Sequence, residues 1–253
     1  MRKDFDPANL YKRLPYGTTV PSECPSMPQI SFDCRVEATW IEENLKNTPF
    51  NAASDRILIS ASDFGNNKVV GFKDVMIVAA VEYKGKLGGH PLLEFEDLNR
   101  TVAGGREKWG YPKLFADISF DQLPEGNVTC NVSLAGKSIL ELNWKPDTAE
   151  RVAPTLEALQ LWPHYLLRLL PDCSGEGMVF AEILNRDTSE DVKIISRNKG
   201  IGAIKLDTWP EREMDYCNLA GVKIKEILSA EFVVSDWRAT AENGWAHLLE
   251  RII

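Results

Sequence analysis

Between residues 116 and 144 apolar and polar side chains alternate with a period of two. Ala116, Ile118 and Phe120 are separated by Asp117, Ser119 and Asp121, and Val128, Cys130, Val132 and Leu134 by Thr129, Asn131 and Ser133. That spacing predicts antiparallel strands with one buried face. Pro124-Glu125-Gly126-Asn127 and Ala135-Gly136-Lys137 supply turns and residues 138–144 a third strand, so the stretch reads as a meander. A second meander is predicted from 165–171, 177–185, 192–196 and 202–206, with a helical piece at 154–161 between the two. Residues 224–237 predict a long strand, and 240–253 a closing helix with Trp245, Leu248, Leu249 and Ile252 on one side.

Upstream, residues 30–35 read as a first strand and 37–47 as a short helix with Trp40, Ile41 and Leu45 facing inward. The pattern breaks over 47–55. Two apolar runs, 56–62 and 75–83, have strand length and look buried on both faces. Residues 84–91, with three glycines and one proline, predict a turn into 92–98. There Leu93, Phe95 and Asp97 share one face and Leu92, Glu94, Glu96 and Leu98 the other. Many antiparallel strands with few helices predict a mainly β (α+β) fold, a closed or nearly closed antiparallel β-barrel with peripheral helices. Residues 1–29, with Pro7, Pro15, Pro21, Pro25 and Pro28, read as an extended N-terminal arm, and residues 30–253 as a single domain. Such an arm would drape over the body or over a neighbouring subunit, which predicts a homo-oligomer.

The 253 residues suffice for one large core, and 44% hydrophobic with 26% charged residues is ordinary for a globular chain. A net charge of -8 with no basic block argues against a nucleic-acid partner. No signal-like apolar segment follows Met1-Arg2-Lys3 and no run approaches a membrane span, so the expectation is a cytoplasmic protein without a membrane partner. The cysteines at 24, 34, 130, 173 and 217 form no C-x-x-C pair, and the histidines at 90, 164 and 247 lack ligand spacing. No metal site is therefore expected. The glycines at 104 and 105 read as a turn without dinucleotide-binding spacing, and no cofactor is indicated.

The stretch Gly104-Gly105-Arg106-Glu107-Lys108-Trp109-Gly110-Tyr111-Pro112-Lys113 carries the candidate chemistry. Lys113 lies between an aromatic-proline pair and Leu114-Phe115, so its sequence neighbours offer its amine no acidic partner. A lysine with the ordinary pKa near 10.4 is unprotonated about once in a few thousand at neutral pH. A nucleophilic one must have its pKa brought near neutrality, about 4 kcal/mol, and burial among apolar groups can supply that.

The G-R-E run followed by aromatic-Pro-Lys resembles the acetoacetate decarboxylase family, with Lys113 at the place of the nucleophile. The resemblance covers residues 56–237 and includes Trp162-Pro163-His164, the run to Pro171, Glu182-Ile183-Leu184 and Val222-Lys223-Ile224. It implies a cone-shaped antiparallel barrel with the lysine directed into its cavity, and a Schiff-base mechanism needing no cofactor. Asp74 takes the register of a family glutamate and is the candidate acid or base. Arg106 and Glu107 are expected to fix the Lys113 loop by an ion pair or a backbone bond. Tyr111, Trp109 and Phe115 are expected as cavity wall, His90 as a surface residue and His164 as a packed one. Leu114 stands where the family has a second lysine and is expected to make the substrate pocket more apolar, a second family glutamate falls near Ile59 with no acidic counterpart, and the family's N-terminal arginine has no assigned counterpart, although Arg2, Arg13 and Arg35 are available. The implied function is decarboxylation of a small-molecule β-keto acid. A Schiff-base aldolase, dehydratase or cyclase uses the same iminium, and a non-catalytic barrel binding a ketone would not need the free amine.

Overall fold

The computed structural model describes residues 20–147, 156–207 and 222–253. Its elements are β1 (Ser22–Val36), α1 (Ala38–Leu45), β2 (Asn51–Asp63), β3 (Lys73–Tyr83), β4 (Lys86–Glu96), α2 (Asn99–Trp109), β5 (Lys113–Phe115), β6 (Asp117–Gln122), β7 (Val128–Leu134), β8 (Lys137–Pro146), β9 (His164–Pro171), β10 (Met178–Arg186), β11 (Lys193–Leu206), β12 (Ile224–Ala239) and β13 (His247–Arg251).

The strands form one sheet in the order β13-β10-β9-β4-β3-β2-β1-β12-β11-β8-β7-β6, with β5 alongside β4. The expected mainly β architecture is present. The expected closure is not: the hydrogen-bonded path is open, ending at β13 and β6, although β6 folds back against β2 and β3. Its halves meet at one parallel bridge between Gly89 and His164, where the Gly89 N–H donates to the Pro163 carbonyl at 3.0 Å. A Cβ on Gly89 would lie 2.5 Å from the Leu161 carbonyl oxygen, so only glycine permits this approach.

Period-two alternation sorts the strands into two faces. Ile30, Phe32, Ile59, Ile77, Leu93 and Phe95 point one way and meet Leu140 and Leu142 of the meander in a single core. Burying each such side chain contributes about 1.5–3 kcal/mol. The intervening residues Asp33, Ser60, Asp74, Glu94 and Glu96 point the other way and line a cavity of about 1390 Å³. Thus β1 to β4 have no face left for bulk solvent at these positions, and the polar half of the alternation faces an internal space.

Several elements differ from the sequence reading. β1 begins at Ser22, so residues 22–29 of the expected arm are strand, and residues 1–19 lie outside the described residues. Of the predicted helical piece, residues 154 and 155 also lie outside them, and residues 156–161 are irregular rather than helical. β2 starts at Asn51, inside the expected break, and the turn before β4 shrinks to Lys84-Gly85, both with positive φ. The second meander is not one: β9 and β10 form a hairpin, whereas 192–196 and 202–206 are one strand, β11, whose first half pairs with β12 and second half with β8. The closing helix is replaced by a turn and β13, which pairs with the free edge of β10. Its apolar residues Trp245, Leu248, Leu249 and Ile252 are exposed, so there is no buried helical stripe to hold a helix together. Finally, Gly104-Gly105 is not a turn but lies within α2.

Gly110 ends α2 in the left-handed region at φ 78°, and its N–H donates to the Arg106 carbonyl at 3.0 Å. A Cβ there would fall 2.3 Å from the Leu167 carbonyl oxygen. Gly110→Ala is expected to destabilise the fold by about 2–4 kcal/mol through the left-handed penalty and the clash. A urea midpoint unchanged from the wild type would show that this joint does not constrain the chain.

Candidate active site

Lys113 begins β5, which pairs in parallel with β4 so that Glu94 stands opposite Lys113 and Glu96 opposite Phe115. The antiparallel pairing of β3 with β4 sets Asp74 opposite Glu96. Three carboxylates from two strands therefore converge on one amine. The Nζ of Lys113 lies 2.8 Å from Glu94 Oε1 and 3.9 Å from Asp74 Oδ2, and it also hydrogen-bonds Glu96. All four side chains are at least nine-tenths buried.

The expectation of an amine without an acidic partner is thus overturned, and so is activation by desolvation alone. Burial pushes the Lys113 pKa down, but Glu94, Glu96 and Asp74 together outweigh it and hold the amine above its ordinary range. On the other side of the balance, burial and the neighbouring Glu94 raise Asp74 well above the usual carboxylate range, against the opposing pull of Lys113. Burial likewise raises Glu96. The Oε2 atoms of Glu94 and Glu96 are buried and have no hydrogen-bond partner among the described residues. A carboxylate oxygen in that state costs about 1–3 kcal/mol or more, which protonation relieves. Ligand oxygens of Asp74, Glu94 and Glu96 lie within 4.8 Å of one another, close enough to surround a metal ion. In this chain the cation that they surround is the lysine ammonium.

The loop is built to deliver that amine. A Cβ on Gly105 would lie 2.3 Å from Lys113 Cε and 2.4 Å from Cδ, so the lysine stem runs across α2 at the one residue type that admits it. Arg106 Nη1 donates to the Lys113 carbonyl at 3.1 Å, the expected backbone bond, while Glu107 is exposed at the helix surface. Behind α2, Arg168 of β9 donates to the Lys108 carbonyl at 3.1 Å and pairs with buried Glu182 of β10, which also takes Arg251 of β13 at 2.8 Å. This clamp gives the Glu182 segment a structural role.

Trp109 and Tyr111 line the cavity with Lys113 and Asp74. Leu114 and Phe115 do not: Leu114 packs against the main core, and Phe115, at the end of β5, is 45% exposed. Phe115 as cavity wall and Leu114 as a pocket residue are therefore corrected. His90, expected at the surface, is buried beneath Phe50 with Nδ1 2.8 Å from the Tyr165 carbonyl oxygen, and burial lowers its pKa to about 4. His164 is packed as expected, stacked on Trp162 at 3.9 Å, with Nδ1 3.2 Å from the Tyr111 hydroxyl. Burial, then the nearby Arg186, lowers its pKa to about 3, so it is a neutral imidazole. Glu94, Glu96 and Arg186 were not singled out from the sequence, though two glutamates on one face of an otherwise apolar strand were the visible signal.

A model of the family described as Acetoacetate decarboxylase (ADC) matches residues 13–247. Acetoacetate decarboxylases of Burkholderia ambifaria and Burkholderia cenocepacia are 28% and 29% identical over 167 residues, 63% of this chain. The matched part spans 61% of the length of these curated relatives. Among solved structures, acetoacetate decarboxylase from Legionella pneumophila superposes with a TM-score of 0.76 at 15% identity, covering 100% of this chain and 98% of that one. The enduracididine biosynthesis enzyme MppR complexed with pyruvate gives 0.68 at 17% identity, covering 92% and 91%. At these identities the likeness is one of fold.

Because Lys113 is raised, its contribution to stability is fully present below about pH 10.4 and is lost as the pH rises through its folded value. Lys113→Met would leave three buried carboxylates without their cation and is expected to cost about 3–5 kcal/mol at neutral pH. Asp74 and Glu96, already raised, would lose the lysine that opposes that rise, so the penalty grows as the pH rises through their folded values and shrinks on acidification. Urea titrations at pH 5 and pH 8 measure this difference; an equal penalty at both would exclude the charge balance as its cause.

Proposed function

The chain belongs to the acetoacetate decarboxylase family, and from that premise we propose that it is a cofactor-independent Schiff-base lyase that decarboxylates a β-keto acid on Lys113. The observation that carries this reading is a buried amine at the wall of a cavity of about 1390 Å³, in direct contact with carboxylates able to take its proton.

The resting site favours an ammonium, so the free amine must be generated within it. An ion pair and the corresponding amine and carboxylic acid have the same net charge, and expulsion of water by a bound substrate favours the uncharged pair. Transfer of one proton from Lys113 to Glu94 or Glu96 gives that pair. The amine then attacks the ketone carbon, and a protonated Asp74 can donate to the departing hydroxyl, releasing water and leaving an iminium. The electrons of the bond to the substrate carboxylate flow into the iminium, carbon dioxide leaves, and an enamine remains. Protonation of its carbon and addition of water return the ketone and the lysine. The surrounding carboxylates oppose a substrate carboxylate near the iminium, and that repulsion is relieved as the charge departs.

Two measurements follow. During incubation with a β-keto acid, borohydride should attach the ketone covalently to Lys113 while carbon dioxide is released. Trapping without carbon dioxide would favour the aldolase or dehydratase reading, which the bare iminium serves equally well; saturable binding without trapping, retained in Lys113→Ala, would favour a binding protein. Asp74→Asn cannot supply the proton and is expected to lower kcat about 10²–10⁴-fold while Lys113 still binds ketone. A kcat within twofold of wild type would remove Asp74 from the chemistry.

A further inference from the structure

Arg186, the last residue of β10, is 8% exposed, lines the cavity and has no carboxylate partner among the described residues. Its Nε donates to the Gly244 carbonyl at 2.8 Å and Nη1 reaches the Tyr111 hydroxyl at 3.4 Å. The guanidinium lies 4.0 Å from the centroid of the Trp109 ring. Two of its five N–H groups are thus engaged, by neutral acceptors, and a buried cation is left with an unmatched charge. The other arginines of the cavity differ: Arg56 is paired with Asp33, and Arg197 with Glu231 at 3.6 Å.

The reacting end of the cavity has the opposite character. Three carboxylates surround one amine there, whereas around Arg186 stand Tyr111, Trp109 and the neutral His164. Both cations are close to the same ring, Lys113 Nζ at 5.4 Å and the Arg186 guanidinium at 5.8 Å from the Tyr111 centroid. A ligand spanning the two would find a carbonyl-reactive amine at one end and a planar fork of donors at the other. A fork held flat by an aromatic ring matches a planar carboxylate through two parallel bonds, whereas a phosphate would meet only one cation.

We propose that Arg186 binds a second carboxylate of the substrate, distinct from the one lost at Lys113, and so selects oxo-diacids over oxo-monoacids. The inference rests on the Schiff-base reading for the reaction but not for the binding. A cation that held the departing carboxylate would stabilise the charge that must leave; one holding a spectator carboxylate orients the ketone without opposing the bond cleavage.

3-Oxohexanedioate and 3-oxohexanoate differ only in the far terminus and test this directly. Wild-type kcat/KM should favour the diacid by about 30-fold or more, mainly through KM. Arg186→Met should remove the preference while borohydride still fixes 3-oxohexanoate to Lys113, which shows the variant is folded; Arg186→Lys should restore part of it. Calorimetry with adipate and hexanoate reads the anchor without any ketone, so it stands if Lys113 traps nothing and the Schiff-base reading fails. Should Arg186→Met not fold, a tenfold or greater loss of adipate affinity in Arg186→Lys carries the test. Equal use of the two keto acids by the wild type, a preference that survives in Arg186→Met, or adipate binding no tighter than hexanoate would overturn the proposal.

Discussion

A buried lysine amine placed among three buried carboxylates is the constraint on which the rest of this structure depends. Each carboxylate alone would be expensive to bury, and the ammonium alone would be equally so. Burial, with Glu94 adding to it, raises Asp74 and Glu96, while the three carboxylates together raise Lys113 in spite of its own burial. The arrangement sets several oxygens and one nitrogen within hydrogen-bond reach, which an isolated lysine in an apolar pocket would lack. Reactivity and resting stability are then set by the same groups, and a change that loosens one is felt in the other.

The sheet makes that constellation possible through its period of two. Along β4, Leu93 and Phe95 anchor the core while Glu94 and Glu96 turn into the cavity, and β3 contributes Val75 and Asp74 in the same way. No loop positions these carboxylates. Their separation is fixed by strand pairing, with β5 docked against β4 by a register that cannot slip without exchanging Lys113 for Leu114. The Arg168–Glu182–Arg251 clamp holds α2 from behind, and Gly105 leaves room for the lysine stem in front. Residues far from the chemistry therefore act through the placement of one nitrogen.

Much of this was legible in the sequence. The meander β6–β8, the buried strand β3, the long strand β12, helix α1 and the family resemblance around Lys113 all follow from local patterns. Asp74 and Lys113 do meet. What could not be read depends on contacts distant in sequence. The expectation of an amine without acidic partners looked only at chain neighbours, whereas Glu94 and Glu96 arrive through the β4–β5 pairing across an intervening helix. That helix was hidden because two glycines are poor helix formers, and their reason for being there is the lysine passing over one of them. Helical spacing at 248, 249 and 252 predicted a helix, but the open edge of β10 offered strand pairing instead.

Leu114 shows how a departure from a family pattern acquires a different meaning in three dimensions. Read along the chain, it removes a neighbouring cation and leaves desolvation to depress the Lys113 pKa. In the fold, its side chain packs against the core on the far side of β5, and it does not line the cavity. A cation at that position could act on Lys113 only through the strand. The electrostatic partners that do face the amine are anionic, and Arg186, a cavity cation with no carboxylate partner among the described residues, comes from β10 and approaches the same aromatic ring as Lys113. Lys113 thus stands among carboxylates and Arg186 among neutral groups, and the proposed substrate, a ketone with a remote acid, would match that difference.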